Sequence, residues 1–392
     1  RGAPESEIDE LRRAFGVEPE EHARALERLR GAAGPLLGRA RRQLDRAVEL
    51  RRALTVIGST EPSAARVFLR SLLAKARDEA VDRVLELLEI AGDGPMIQAL
   101  RRRLVSGDAA QRTIALELLG AACPGASELT PDLEPLLARR PLAPDQRGDA
   151  GEEETLTSLL GSSDPYLRAA AVWAASPLAE VEALRDAIAR ARDDEHPLVR
   201  ETAAWFARRP EVAAESGSLP PGPPRALSTI ETMHLLHAVP LFSGLDPEDL
   251  HELALYAIEE TIAPPQAIFE QGDADSDALF VILSGRAVVD RAGGAADRAA
   301  SAVAANGVST ETVPARRGEV LGPGAVVGEL SVLDGSRRDV TVRPQGGPVR
   351  VLRIPGPSFR GGLLRRTRVT EWLLGALAGR IRRLTEPLDR DR

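Results

Sequence analysis

Gly324–Val342 reads GAVVGELSVLDGSRRDVTV, and this stretch decides how the rest of the chain is interpreted. Glu329 follows Gly328 directly, and Arg338 comes nine positions after the glutamate, inside a glycine-punctuated, β-rich segment. Glycine lets backbone approach a ligand closely. A short helical turn beginning at Glu329 aims amide N–H groups at an anion. Arg338 can meet a phosphate with a planar two-pronged donor, and Glu329 can accept from a ribose hydroxyl. The set suits a small cyclic phosphodiester.

The flanking sequence predicts more short strands. Ile268–Asp273 (IFEQGD) reads as a strand closing into a turn, and Ala278–Asp290 (ALFVILSGRAVVD) as two strand pieces pinched at Gly285. Further strands are expected over Arg338–Val342 and Val349–Ile354. Short β-rich runs bounded by Gly, Pro and Asp at this spacing predict a small barrel or jelly roll.

With the lead-in Leu241–Leu245 (LFSGL), EQGD at 270–273, ILSG at 282–285 and GELSVLDGSRR at 328–338, residues 229–386 resemble the cyclic-nucleotide-binding domain family. The resemblance implies a β-roll with flanking helices, and cyclic AMP (cAMP) or cyclic GMP (cGMP) as ligand rather than any cofactor. It implies that Glu329 binds the ribose 2′-hydroxyl and Arg338 the exocyclic phosphate oxygens. Gly328, Leu330, Ser331, Asp339 and Val340 complete the implied ligand-binding set. The chain departs from the family pattern at Asp339, where Ala, Ser or Thr is usual. A carboxylate there would repel a phosphodiester by about 1–4 kcal/mol in a partly shielded pocket. Two smaller departures are Pro264–Pro265–Gln266 and an Ala/Gly-rich insertion over 292–310, which reads as a disordered hairpin excursion. The terminal stripe Val369, Trp372, Leu373, Leu377, Ile381 and Leu384 predicts an amphipathic helix. In the resembled family the corresponding helix closes over the ligand, which makes Trp372, Leu373 and Leu377 lid candidates.

The first half reads differently. Residues 1–210 are rich in Ala, Leu, Arg and Glu, with apolar residues three and four apart. Asp164–Trp173 (DPYLRAAAVW) matches His196–Trp205 (HPLVRETAAW) at an offset of 32 residues, and weaker copies stand at 80–83 and 109–112. Proline suits the first turn of a helix, and the small residues let helices approach. The pattern resembles short HEAT repeats over about residues 60–210, which predicts an α-solenoid. The expected organisation is a helical cap over 1–58, a HEAT-like solenoid over 59–210, a Pro-rich linker over 211–227 and the cyclic-nucleotide-binding domain over 228–392. The run 39–52 reads as a solvated helix face. Such tandem segments resemble the soluble tail of bacterial nucleotide-translocase-like membrane proteins. A chain that opens on Arg1 reads as a fragment, so a membrane domain upstream is an expectation.

Composition narrows the functions. The 392 residues carry a net charge of −8, which argues against a general nucleic-acid binder. Lys75 is the single lysine among 51 cations, the mark of a GC-rich bacterial genome, and the one cysteine, Cys123, suits a reducing cytoplasm. No apolar run approaches the roughly 20 residues that span a bilayer. The location expected is the cytoplasm, or the cytoplasmic side of an anchored protein. No phosphate-binding loop, dinucleotide fingerprint, zinc cysteine pair or nucleophile elbow occurs. His234, His237 and His251 read as ordinary helix histidines and not as a metal site. An enzyme is not expected. Three functions remain: a regulatory protein whose ligand modulates the partner contacts of a solenoid, a protein–protein scaffold whose β-domain no longer binds nucleotide, or a solenoid that serves as a lyase-like or enzyme-accessory array.

Overall fold

The computed structural model describes residues 19–123, 125–138, 151–208, 227–274, 277–290 and 318–363. The expected linker, the insertion at 292–310 and the lid candidates Trp372, Leu373 and Leu377 fall outside the described residues. The chain divides into two compact units, residues 1–163 with 178–187, and residues 164–177 with 188–392.

The first unit is helical. Its helices are α1 (Pro19–Gly58), α2 (Ala64–Ala91), α3 (Gly94–Ser106), α4 (Ala109–Ala122), α5 (Thr130–Leu137) and α6 (Glu152–Leu160). Starts are set by local chemistry. Ser63, Asp93 and Asp108 are N-caps whose side chains accept from Arg66 N, Met96 N and Gln111 N. The core joins Leu44, Val84, Leu88, Leu100, Leu104, Leu118 and Leu133, among other side chains. At 40 residues α1 exceeds the 32-residue repeat spacing, and the weak copy at 80–83 lies in mid-helix within α2 rather than at a helix start. The run 39–52 is not simply a solvated face. Ala40, Leu44, Ala47, Leu50 and even Arg51 are buried on one side of α1.

The second unit contains the strong repeat. Helices α7 (Pro165–Ala175) and α9 (Pro197–Ala207) both begin with proline in the first turn and pack together; α8 (Glu182–Arg190), between them in sequence, falls mostly in the first unit. Trp173 stacks on Phe206, with centroids 6.0 Å apart and planes inclined by 15°. Arg168, nearly buried, holds Asp194 with both prongs, Nε to Oδ2 at 2.9 Å and Nη2 to Oδ1 at 2.8 Å. Burial works against the Asp194 carboxylate, but the Arg168 hydrogen bond and charge outweigh it and keep the pKa below its ordinary value. Arg200 donates to the carbonyls of Asp194 and Glu195. The two equivalent arginines therefore meet at one loop.

Helices α10 (Thr229–Ala238) and α11 (Pro247–Tyr256) lead into the β-structure. Ser228 and Glu231 form a reciprocal capping box at the start of α10. Glu201 of α9 also accepts from Thr229 N at 3.1 Å and Thr229 Oγ1 at 2.8 Å. The His234 ring meets Trp173 edge-on at 5.7 Å, and His251 lies 5.9 Å from Tyr166 and 5.8 Å from His196.

Seven strands follow: β1 (Ile258–Ile262), β2 (Ala278–Ser284), β3 (Ala287–Asp290), β4 (Val320–Leu321), β5 (Val326–Val327), β6 (Thr341–Pro344) and β7 (Val349–Pro355). They make two antiparallel sheets, ordered β1-β7-β2-β5 and β4-β3-β6. The sheets do not close into a barrel among the described residues. β4 and β5, two residues each, are too short to carry the ladder from one sheet to the other. β2 is an unbroken apolar run because it lies inside its sheet and is covered on both faces. Ala278, Phe280 and Ile282 point to a core shared with Phe269, Val289, Val342 and Val351. At Gly285, with φ +86°, a Cβ would sit 2.7 Å from the Pro348 carbonyl, so only glycine fits the pinch between β2 and β3. Between β5 and β6 lies the short helix α12 (Glu329–Asp334). After β7 a helical turn spans 356–363. Among the described residues no helix is long and apolar enough to cross a membrane.

Burial, and then the charge of His237, pull the His234 pKa from 6.5 down to about 4. As pH falls through 6.5 the unfolded chain takes up a proton that the folded unit refuses until about pH 4. The contribution of His234 to stability is thus intact above pH 6.5 and lost between 6.5 and 4, by roughly 3 kcal/mol at full extent. Urea titrations at pH 7.5 and 4.5 should show a larger acid loss for the wild type than for His234→Phe, which keeps a ring against Trp173. Equal losses in both proteins would refute this assignment.

Candidate functional site

The site is built on the loop from β5 to β6. Gly328, at φ +83°, turns the chain from β5 into α12 and precedes Glu329, which is buried at the helix start. Gly335, at φ +71°, ends the helix. The loop then returns to Arg338, which is 2% exposed. Its Nη1 donates to the Gly328 carbonyl at 2.8 Å and to Ser331 Oγ at 3.1 Å, and its Nη2 donates to the Ala278 carbonyl. The guanidinium carbon lies 4.4 Å from the centre of the Phe269 ring, a cation–π contact.

The turn after Phe269 is zipped onto the same loop. Gly272 N donates to the Arg338 carbonyl at 2.8 Å, and Arg338 N donates to the Asp273 carbonyl at 3.1 Å. Gln271 N donates to Thr341 Oγ1 at 2.9 Å. EQGD and the cassette, read separately in the sequence, are one structural object.

Burial lowers the pKa of Arg338, and the charges of Asp273, Asp277 and Glu329 oppose that shift. Arginine starts so high that the group stays cationic at neutral pH. The site is therefore a buried cation framed by three carboxylates and lined by main-chain carbonyls.

Of the residues singled out in the sequence, Gly328, Glu329, Ser331 and Arg338 converge here. Leu330 is half-buried on α12, and Val340 packs against the β-core. Asp339 is exposed and makes no ion pair among the described residues. Phe269, Ala278, Asp277 and Arg360 belong to the same surroundings but were not foreseen. Phe269 stands beside EQGD and could have been included with it. The part played by Ala278 is a backbone carbonyl, which no residue type announces. Among the described residues no group of three His, Cys, Asp or Glu side chains could hold a metal ion.

The cyclic nucleotide-binding domain model matches residues 259–366, which supports such a domain there. A search of curated proteins returns no match. Solved structures that match include the N-terminal domain of a transcriptional regulator from Streptomyces coelicolor A3(2). It is 27% identical over 39% of this chain and 95% of that one, with a TM-score of 0.29. The regulatory subunit of a cAMP-independent protein kinase A from Trypanosoma brucei is 22% identical over 35% of this chain and 44% of that one, with a TM-score of 0.27. Thermus thermophilus catabolite activator protein is 26% identical over 38% of this chain and 62% of that one, with a TM-score of 0.29. This chain spans less than two thirds of the trypanosome and Thermus proteins. With TM-scores this low, the domain assignment rests on the family model.

A Cβ at position 328 would run into Arg338 Nη1 and sit 3.1 Å from the Ala278 carbonyl, in a left-handed backbone conformation. Gly324 has nearly the same φ, +84°, with nothing within 4 Å of the added atom. Both substitutions to Ala carry the left-handed cost of about 1 kcal/mol or more. Gly328→Ala should lose clearly more stability in denaturant titrations, because it also displaces the buried cation. Equal losses would mean that Arg338 is not fixed where the structure puts it.

Proposed function

We propose that residues 228–392 form a cyclic-nucleotide sensor and that its ligand alters how the helical region meets a protein partner. The observation that carries this reading is the burial of Arg338 beside Gly328, Glu329 and Ser331, a cation at the mouth of a short helix within the matched domain. The phosphate of cAMP or cGMP docks on Arg338 and on main-chain amides at 328–332, and Glu329 accepts from the ribose 2′-hydroxyl. Docking exchanges the Gly328 and Ala278 carbonyls for phosphate oxygens, which are stronger acceptors for a guanidinium. The cassette then shifts. This is a population shift, so the ligand must bind the two arrangements unequally.

The helices of the repeat are the route outward. Glu201 of α9 accepts from the first residue of α10, and Trp173 of α7 touches His234 of α10. A movement of α10 therefore loads the α7–α9 pair. The HEAT-like array presents its face to a protein partner. The lid role in this reading is assigned to Trp372, Leu373 and Leu377. The protein works in the cytoplasm or on the cytoplasmic face of a membrane, in a regulatory role.

The second reading is a scaffold, favoured by Asp339 and by the inward bonding of Arg338. Calorimetry with cAMP and cGMP separates the two. For a sensor, the wild type binds one nucleotide. Arg338→Lys binds it at least about tenfold more weakly, because a one-pronged ammonium cannot replace a planar fork. Glu329→Gln loses the ribose contact and is weakened likewise. Asp339→Ala binds more tightly, by relief of charge repulsion. Silence of the wild type together with Asp339→Ala sinks the sensor and leaves the scaffold.

A further inference from the structure

Asp277, at the start of β2, is gripped from outside the cassette. Arg360, in the turn after β7, donates from Nη1 to Oδ1 at 2.8 Å and from Nη2 to Oδ2 at 2.5 Å. The same Nη1 donates to the Val332 carbonyl on α12 at 2.8 Å. Gly356 N donates to the Asp277 carbonyl at 2.8 Å. A Cβ on Gly356 would lie 2.6 Å from Asp277 Cγ, so glycine is needed for this close passage. Between Gly356 and Arg360, the buried Phe359 ring meets Phe242 edge-on at 6.5 Å. One guanidinium thus fastens three separate pieces of chain: the start of β2, the cassette helix and the segment leaving β7.

Two of those pieces supply the acceptors of Arg338. Ala278, whose carbonyl takes Arg338 Nη2, is the residue after Asp277. Gly328, whose carbonyl takes Nη1, is the N-cap of the helix that carries Val332. Arg360 therefore holds the frame in which Arg338 is turned inward. The electrostatics agree. The hydrogen bond from Arg360, helped by the charges of Arg360 and Arg338 and opposed by burial, leaves the Asp277 carboxyl below its ordinary pKa, and Asp277 in turn raises the pKa of Arg360.

The geometry points to Arg360 and Asp277 as a clasp that stabilises the arrangement in which Arg338 is turned inward onto the Gly328 and Ala278 carbonyls, so that opening the clasp tightens binding of the cyclic nucleotide and releases the segment after β7. This inference rests on the proposed sensor function. Neither residue contacts the ligand; both are positioning residues. When the competent arrangement is a minor one, apparent affinity falls by its fractional population, and weakening the lock restores it. The pair is partly exposed, with side chains 39% exposed at Asp277 and 37% at Arg360, so its effect is modest and falls with salt.

The experiment uses the full chain with two substitutions, Arg360→Gln and Asp277→Asn, the second being isosteric and least disturbing to the fold. Hydrogen exchange without nucleotide reads the clasp directly. Amides of 329–334 and of 356–363 should both exchange faster in each variant. Faster exchange at 356–363 alone would overturn the clasp, because the cassette would not be held through it. Calorimetry with cAMP and cGMP at low salt reads the coupling. Each variant should bind about two- to fivefold more tightly than the wild type, and the gap should narrow in high salt. Unchanged or weaker binding overturns the inference, since a residue serving stability alone would not tighten it. If no protein binds either nucleotide while both segments loosen together, the sensor reading falls and the mechanical clasp stands.

Discussion

A guanidinium taken almost wholly out of water is the constraint around which the second unit is arranged. Arg338 needs strong partners where it is buried, because a buried charge without them is far more costly than a buried neutral group. Its Nη atoms are satisfied by carbonyls from two separate elements, the turn into α12 and the first residue of β2, and its face is covered by Phe269. Those demands fix Gly328 as glycine and hold β2 against the cassette. They also fasten the EQGD turn onto the same loop through main-chain bonds. A ligand that offers better acceptors at this point acts on all of these contacts together.

The acids around this cation matter as much as the cation. Asp273, Asp277 and Glu329 each favour its charged form. Asp277 is shared with a second arginine, Arg360, which also reaches the backbone of the cassette helix. Charge at the pocket and the path of the chain after β7 are thereby physically linked, through bonds a few ångströms long. The bidentate Arg168–Asp194 pair ties the repeat helices to each other, and the Glu201 contact with Thr229 binds them to the helices that lead into the β-structure. A compact unit that begins at residue 164 places the second strong repeat, and the helix of the first, with the β-structure.

Much of this was legible in the residues. Pro165 and Pro197 announced helix starts, Ser228 and Glu231 announced a capping box, and Gly285 announced the break between two strands. Each is a local event in which side chain and backbone belong to the same few residues. Glu329 and Arg338 were legible for a similar reason, since a nine-residue spacing across a glycine turn brings them together without help from distant chain. Less legible was the helical region. Periodicity marks an amphipathic helix but not its partner or its length, so a 40-residue α1 with a buried face looked like separate helices with a solvated one.

The sequence by itself therefore determined the starts of the repeat helices, the Ser228–Glu231 capping box and the glycine pinch at 285, because all of these follow from short-range sterics and hydrogen bonding. Only the tertiary structure decided that Arg338 points inward to the Ala278 carbonyl and that Asp339 stays in solvent. It alone showed that the strands form two sheets that stay open among the described residues, and that Arg360 reaches back across 83 residues to Asp277. Those outcomes depend on which distant backbone atoms are brought within 3 Å of a side chain. Residue type does not encode that proximity until the chain has packed.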